Sequence, residues 1–422
     1  MLFKNAIILI TFLINNLTII SLSIPFYSHI DLKKATSIEE ILDFFKNNEL
    51  YTYIEIGEPS QKLPIIITSY DSTLTMKKFD CPMLVNYDLN YSKSSEITVD
   101  DAYFRYLSIK DYISFDNNDK NIFLKFYYHN ESDGNNSICG FIGTQIIDED
   151  YKDNTNNMII QLKNMNLINK PVFYFNYTDD NKGFLNIGFE PFEANPKLYS
   201  KYNTKRTGVD SILDYEMKND NRGKFRWNLN FTKIFYHRKL QAESMLDPYV
   251  EISRIKTRRV DYFQALFFPE DDLIKGPFEY EEHIEEDFFD SLIDEGICKR
   301  INYENKYFFV CSKEHKNLLI KTFPTLYFYS ESLNQVFQLN SDDLFIEKDD
   351  YLIFGIYFDS FQIELFRGAF LSEWFFGKIF LKKYCFSFNP ETEQLTFYKE
   401  SIIRPKILKS EEKTVNNITK RI

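Results

Sequence analysis

The chain has 422 residues, 44% hydrophobic and 27% charged, which excludes wholesale disorder, collagen and coiled coil. Fifty Lys and Arg against 62 Asp and Glu give a net charge of −12, so the basic excess that a nucleic-acid binder or an anionic-lipid surface needs is missing. Only 13 residues are Gly, while 42 Phe and 29 Tyr favour strands.

Residues 1–23 read as a secretory signal peptide. Lys4 gives the positive start, apolar runs follow from Ala6 to Ile14 and from Leu17 to Leu22, and Ser21 with Ser23 makes a small-x-small cleavage pattern before Ile24. An uncleaved anchor is the rival reading, weakened by Asn15 and Asn16 in mid-stretch. No later segment approaches 18 uninterrupted apolar residues, so the mature chain is expected to be soluble, with no stable membrane span. Residues 24–50 form a short N-terminal segment. Within it Ile38, Ile41, Leu42 and Phe45 share a helical face, and Ser37 with Glu40 forms a capping box, predicting a helix over 36–46.

From Tyr51 the signal is strands. Tyr51 to Ile56 alternates with period two, Gly57-Glu58-Pro59-Ser60 is a turn, and Lys62 to Thr68 is the next strand. Similar units recur at 102–109, 122–128, 172–177 and 183–189. Helical spacing is confined to about 156–166 and 279–294. The polar stretch 191–224, with Pro191 and Pro196, reads as a connection between two β-rich units, 51–190 and 225–400. Residues 401–422 read as a polar, disordered tail.

The five cysteines are Cys81, Cys139, Cys298, Cys311 and Cys385, an odd number that leaves at least one unpaired in a monomer. A bridge between Cys298 and Cys311 would close about 14 residues and contribute roughly 3 kcal/mol in the chain-entropy model. Sequons at Asn90, Asn130, Asn135, Asn176, Asn230 and Asn417 agree with secretion, though an Asn-rich chain produces some by chance. The five histidines are scattered, no Cys/His spacing suggests zinc, and GxSxG, Walker and GxGxxG motifs are missing, so neither metal nor cofactor is expected.

Several stretches, taken in order, resemble the pepsin-like aspartic proteases. Tyr51 to Gln61 is similar to Y-x-x-x-I-x-I-G-x-P-x-Q. Cys139 to Gly143 resembles a G-I-L-G-type turn, and Gly183 to Gly188 resembles G-x-L-x-I-G. In the second unit Gly276-Pro277, then Cys298 to Cys311 followed by Phe323 to Phe328, resembles C…C…F-P-x-L-x-F. Trp374 to Tyr384 resembles W-x-x-G-x-x-F-L-x-x-Y. The resemblance covers about Tyr51 to Tyr398. It implies a mostly-β, bilobal acid-protease fold with few short helices and a central cleft. It also implies a Cys298–Cys311 disulfide, with Cys385 the free thiol.

That family works through two aspartates sharing one proton, each in D-[ST]-G. This sequence contains no D-[ST]-G. Alignment on the flanking apolar residues puts Thr68 and Phe268 at the aspartate positions and Tyr70 and Glu270 at the glycine positions. Thr and Phe have no usable proton chemistry at mild pH. A slipped register would offer Asp71 with Asp271 or Asp272; otherwise Asp71, Glu270, Asp271 and Asp272 read as solvated turn residues. The flap candidate around Tyr106 has no glycine and looks short. Residues 24–50 carry Lys33, Lys34 and Lys46 against five acids, unlike a basic pro-segment.

The expected function is that of a secreted or endomembrane-lumen protein (a vacuole- or lysosome-like compartment included), monomeric and non-catalytic, whose cleft takes a peptide, protein or glycan. The alternative is an active aspartic endopeptidase with a degenerate dyad.

Overall fold

Alternation sets the first strands. In Leu50–Ile56 the buried side chains are Leu50, Thr52, Ile54 and Ile56, and in Gln61–Thr68 they are Leu63, Ile65 and Ile67. The computed structural model describes residues 21–28, 37–46, 49–69, 71–77, 87–101, 106–115, 121–129, 139–145, 156–193, 196–205, 227–237, 249–251, 263–277, 280–359 and 373–400. The protein is mostly β, with few short helices.

The first half supplies β1 (Leu22–Ser28), β2 (Leu50–Ile56), β3 (Gln61–Thr68), β4 (Leu74–Lys77), β5 (Glu96–Asp101), β6 (Tyr106–Phe115), β7 (Ile122–His129), β8 (Gly140–Gly143), β9 (Phe173–Tyr177) and β10 (Lys182–Ile187). The second supplies β11 (Tyr199–Lys205), β12 (Asn228–Phe231), β13 (Lys233–His237), β14 (Tyr249–Glu251), β15 (Phe263–Phe267), β16 (Ile274–Gly276), β17 (Cys298–Tyr303) and β18 (Lys306–Ser312). It continues with β19 (Thr325–Ser330), β20 (Gln335–Leu339), β21 (Phe345–Lys348), β22 (Tyr351–Phe354), β23 (Ile356–Asp359), β24 (Glu373–Phe376), β25 (Cys385–Asn389) and β26 (Gln394–Glu400).

Six strands close on themselves in the order β2-β3-β8-β4-β7-β6, because β6 pairs back to β2 through Ile54↔Phe115 and Ile56↔Ile113. Closure leaves that ring without a free edge. Its key element is β8, which lies parallel to β3 and antiparallel to β4, inserted between two strands joined by the turn 69–73. The second half repeats the device. There β24 lies parallel to β15 and antiparallel to β16, and the turn 268–273 joins its two neighbours. The match extends outward. Strands β2-β3-β8-β4-β7-β6 and β12-β15-β24-β16-β23-β18 run through the same sequence of antiparallel and parallel pairings.

A run of six strands, β11-β26-β25-β9-β10-β1, carries strands of both halves and continues from β1 into β2. At its centre Phe173 stacks on Phe388 at 5.1 Å, and Trp227 packs on both rings. Burial of such rings drives the join, and offset and edge contacts add about 0.5–1.5 kcal/mol each. The polar stretch expected to be only a connection therefore holds a strand: β11 pairs along its whole length with β26. The N-terminal segment does so too. β1 fills the gap between β10 and β2, with Leu22, Ile24 and Phe26 buried. A cut before Ile24 would leave Ile24 to Ser28 of that strand.

The helix expected over 36–46 is α1 (Ile38–Lys46). Ser37 Oγ accepts from Glu40 N at 3.2 Å, and the apolar face packs on Leu273, Phe308, Val310 and Ile353 of the second half. The one expected near 156–166 is α2 (Met158–Asn164), capped by Asn157, whose side chain accepts from Ile160 N at 3.1 Å. Short helical turns occupy 281–294, as their spacing predicted. A six-residue helix, α3 (Lys378–Lys383), follows β24. Among the described residues no helix is long and apolar enough to cross a membrane.

Cys298 and Cys311 are directly opposed on β17 and β18 and form a disulfide. Cys139 is also disulfide-bonded, Cys385 is free and partly buried, and Cys81 lies outside the described residues. Peptide mapping without reduction is expected to recover Cys298 joined to Cys311. Changing both to Ser should cost about 3 kcal/mol of unfolding free energy, the chain-entropy value for a loop of this size.

Candidate functional site

The two turns framed by the repeated strands approach each other, and their glycines show why. Gly143 of β8 lies under the first turn, where a Cβ would fall 2.5 Å from Asp71 O. Gly377, just after β24, lies under the second, where a Cβ would collide with Asp271 O and Leu273 O. Only glycine lets a crossing strand pass that close to the turn. The equivalence fixes the internal register: Thr68 corresponds to Phe268, and Asp71 to Asp271. Thr68 pairs with Gly143, and Phe268 N donates to Phe376 O at 3.0 Å, one residue before Gly377.

Thr68 O accepts from both Thr144 N and Thr144 Oγ1, each at 2.9 Å. Thr144 O in turn accepts from Trp227 Nε1 at 2.8 Å, which ties the first turn to the aromatic seam. On the other side Phe268 is buried and packs on Phe375 at 5.0 Å. Tyr177 of β9 donates its hydroxyl to Pro269 O at 2.8 Å.

The side chain that crosses between the turns is Glu270. It is 6% exposed. Its Oε1 accepts three hydrogen bonds from the opposite turn: from Ser69 N at 2.9 Å, Ser69 Oγ at 2.9 Å and Thr68 Oγ1 at 3.3 Å. Its Oε2 is buried with no hydrogen-bond partner. Burial pushes the Glu270 carboxyl above its ordinary range, opposed by the Ser69 N–H, its own backbone N–H and the Ser69 and Thr68 hydroxyls.

The neighbouring acids go elsewhere. Asp71 Oδ1 accepts from Thr73 N and Thr73 Oγ1, both at 2.7 Å, and so closes its own turn. Burial raises it all the same. Asp272 is 2% exposed and ion-paired with Lys378 of α3, whose Nζ also donates to Asp180 O at 2.6 Å. Asp271 is half-buried and pushed up to about 7, first by burial and then by the charge of Glu270, with Lys306 and Lys275 opposing. The expectation of solvated turn acids is thus replaced by two buried carboxylates and two half-buried ones. Sequence reasoning missed Glu270 because a charged residue in a turn reads as solvated. The one usable signal was its alignment to a glycine position opposite a Thr-Ser pair.

The remaining candidates are dispersed. Tyr106 opens β6, paired with Asp101 of β5 and His129 of β7; the hairpin tip, 102–105, and Tyr70 lie outside the described residues. β6 itself is ten residues long. Asn90 and Asn176 are exposed, Asn230 is half-buried, and Asn130, Asn135 and Asn417 lie outside the described residues. Among the described residues no group of three or more His, Cys, Asp or Glu could hold a metal ion.

A separate cavity of about 610 Å³ lies between α1 and α3, lined by Phe45, Asp272, Asp343, Phe345, Lys378 and Ile379 among others. It shares the Asp272–Lys378 pair with the turn but not Glu270.

The chain matches no protein-family model and no curated protein.

A buried carboxylate that loses a donor keeps its desolvation cost, about 1–3 kcal/mol or more for a charged group. Ser69→Ala removes the 2.9 Å hydroxyl but leaves the N–H. It should lower unfolding free energy by about 1–3 kcal/mol in urea titration. Thr68→Val, removing the 3.3 Å contact, should cost at most about 1 kcal/mol.

Proposed function

We propose that the chain is a pepsin-like protein of the secretory pathway that does not cleave peptide bonds. Its two-lobed body would hold a peptide, protein or glycan in the groove between the lobes. The repeated strand pattern supports the family reading, because it gives two equivalent turns facing one another. The sequence resemblance from Tyr51 to Tyr398 sits on the same strands. The disulfides support an oxidising compartment.

One observation carries the non-catalytic reading. At the equivalent positions Thr68 and Phe268 there is no carboxylate, and the space between the turns is bridged by Glu270, held by Ser69 and Thr68. Aspartic proteolysis needs one protonated and one ionised carboxyl on a single water. Here one carboxylate oxygen is saturated by three donors. The endopeptidase reading would have to recruit Asp271, which titrates near 7, together with Asp71, which is bonded into its own turn.

The purified chain from Ile24 on should leave an unfolded protein substrate intact between pH 3 and 7. Thr68→Asp with Phe268→Asp should not restore cleavage, because Glu270 still fills the place of a glycine. Cleavage that stops with a statine-type inhibitor, or on changing Asp71 to Asn, would overturn the reading in favour of the slipped dyad.

A further inference from the structure

Glu270 presents an unusual division between its two oxygens. Oε1 takes three donors from Thr68 and Ser69, while Oε2 is buried with no hydrogen-bond partner among the described residues. An ionised carboxylate would leave charge on an oxygen with neither water nor a donor, a costly arrangement. A protonated carboxyl removes that cost, and Oε1 still accepts from Ser69 and Thr68.

The charged surroundings point the same way. From its own turn Glu270 has the like-charged Asp271 and Asp272. From the opposite turn it meets the neutral hydroxyls of Thr68 and Ser69, with Asp71 engaged by Thr73. From β9 it has the Tyr177 hydroxyl, committed to Pro269 O. Lys378 of α3 is paired with Asp272, and Lys275 of β16 and Lys306 of β18 act on Asp271. Among the described residues no cation is bonded to Glu270.

We propose that Glu270 is a proton-binding site: the buried carboxyl that bridges the turns takes up a proton as pH falls, and the two turns hold each other more firmly in acid than at neutral pH. The inference rests on the turn geometry alone and stands whether or not the chain cleaves peptides. The sign follows from linkage. A carboxyl raised on folding contributes stability that is complete below its unfolded value, about 4.3 for Glu and 3.9 for Asp, and is lost as pH rises through the folded value. Burial raises Glu270, and Asp271 reaches about 7, so the loss should begin near pH 4 and continue towards neutral pH.

The test is urea unfolding of the chain from Ile24 on at constant ionic strength, from about pH 4.5 to 8. For wild type the midpoint should fall as pH rises. Glu270→Gln, which keeps the acceptor for Ser69 and cannot ionise, should lose a large part of that fall and match or exceed wild type at pH 8. Asp271→Asn should lose a further part. A Glu270→Gln curve parallel to wild type, or one lower than wild type at pH 8, would overturn the proposal. Should Glu270→Gln fail to fold, carboxyl-carbon NMR of the chain labelled at Glu decides, read on a Glu281→Gln background because burial pushes Glu281 up to about 7 as well. One glutamate titrating well above the rest supports the site; its absence overturns it.

Discussion

The contact between Glu270 and the Thr68-Ser69 backbone is the point on which the two halves depend. A carboxylate from one turn satisfies a backbone N–H and two hydroxyls of the other, with the group removed from water. Breaking one of these bonds leaves a buried polar group without its partner, an expensive orphan. The apposition therefore fixes which residues face each other. The closely passing glycines, Gly143 and Gly377, and the Trp227–Thr144 bond serve to bring the turns to that distance.

The same geometry separates the frame of the two turns from the side chains they carry. Each turn is set by a strand inserted between two others, a backbone device that tolerates different side chains on the turn itself. Thr68 and Phe268 are accommodated without disturbing the pairing: one is bonded through its backbone to Thr144, the other is packed on Phe375. The frame needs only glycines beneath the turns and aromatic burial behind them. Glu270 fills the gap with one group that serves packing and polar satisfaction together.

Much of the fold was legible because alternation and helical spacing are local. Strands at 122–128, 172–177 and 183–189 reappear within a residue or two as β7, β9 and β10, and the helices expected over 36–46 and 156–166 became α1 and α2. What escaped were long-range effects. β1 was hidden at the end of an apolar run, and β11 inside a polar stretch; each becomes a strand because a partner with free backbone groups lies beside it. Of the expected 102–109 strand, 106–109 lie in β6 and 102–105 lie outside the described residues. For the site, local polarity could not reveal that Glu270 and Asp272 are buried. That depends on partners some two hundred residues away for Glu270, and on Lys378 for Asp272.

A crystal structure of the chain from Ile24 on, grown in mild acid, tests the central claim most directly. The account predicts Glu270 Oε1 against Ser69 N and Oγ, Phe268 packed on Phe375, and Asp71 turned onto Thr73. Asp71 facing Asp271 or Asp272 across one shared water, with Glu270 swung away from Ser69, would contradict it.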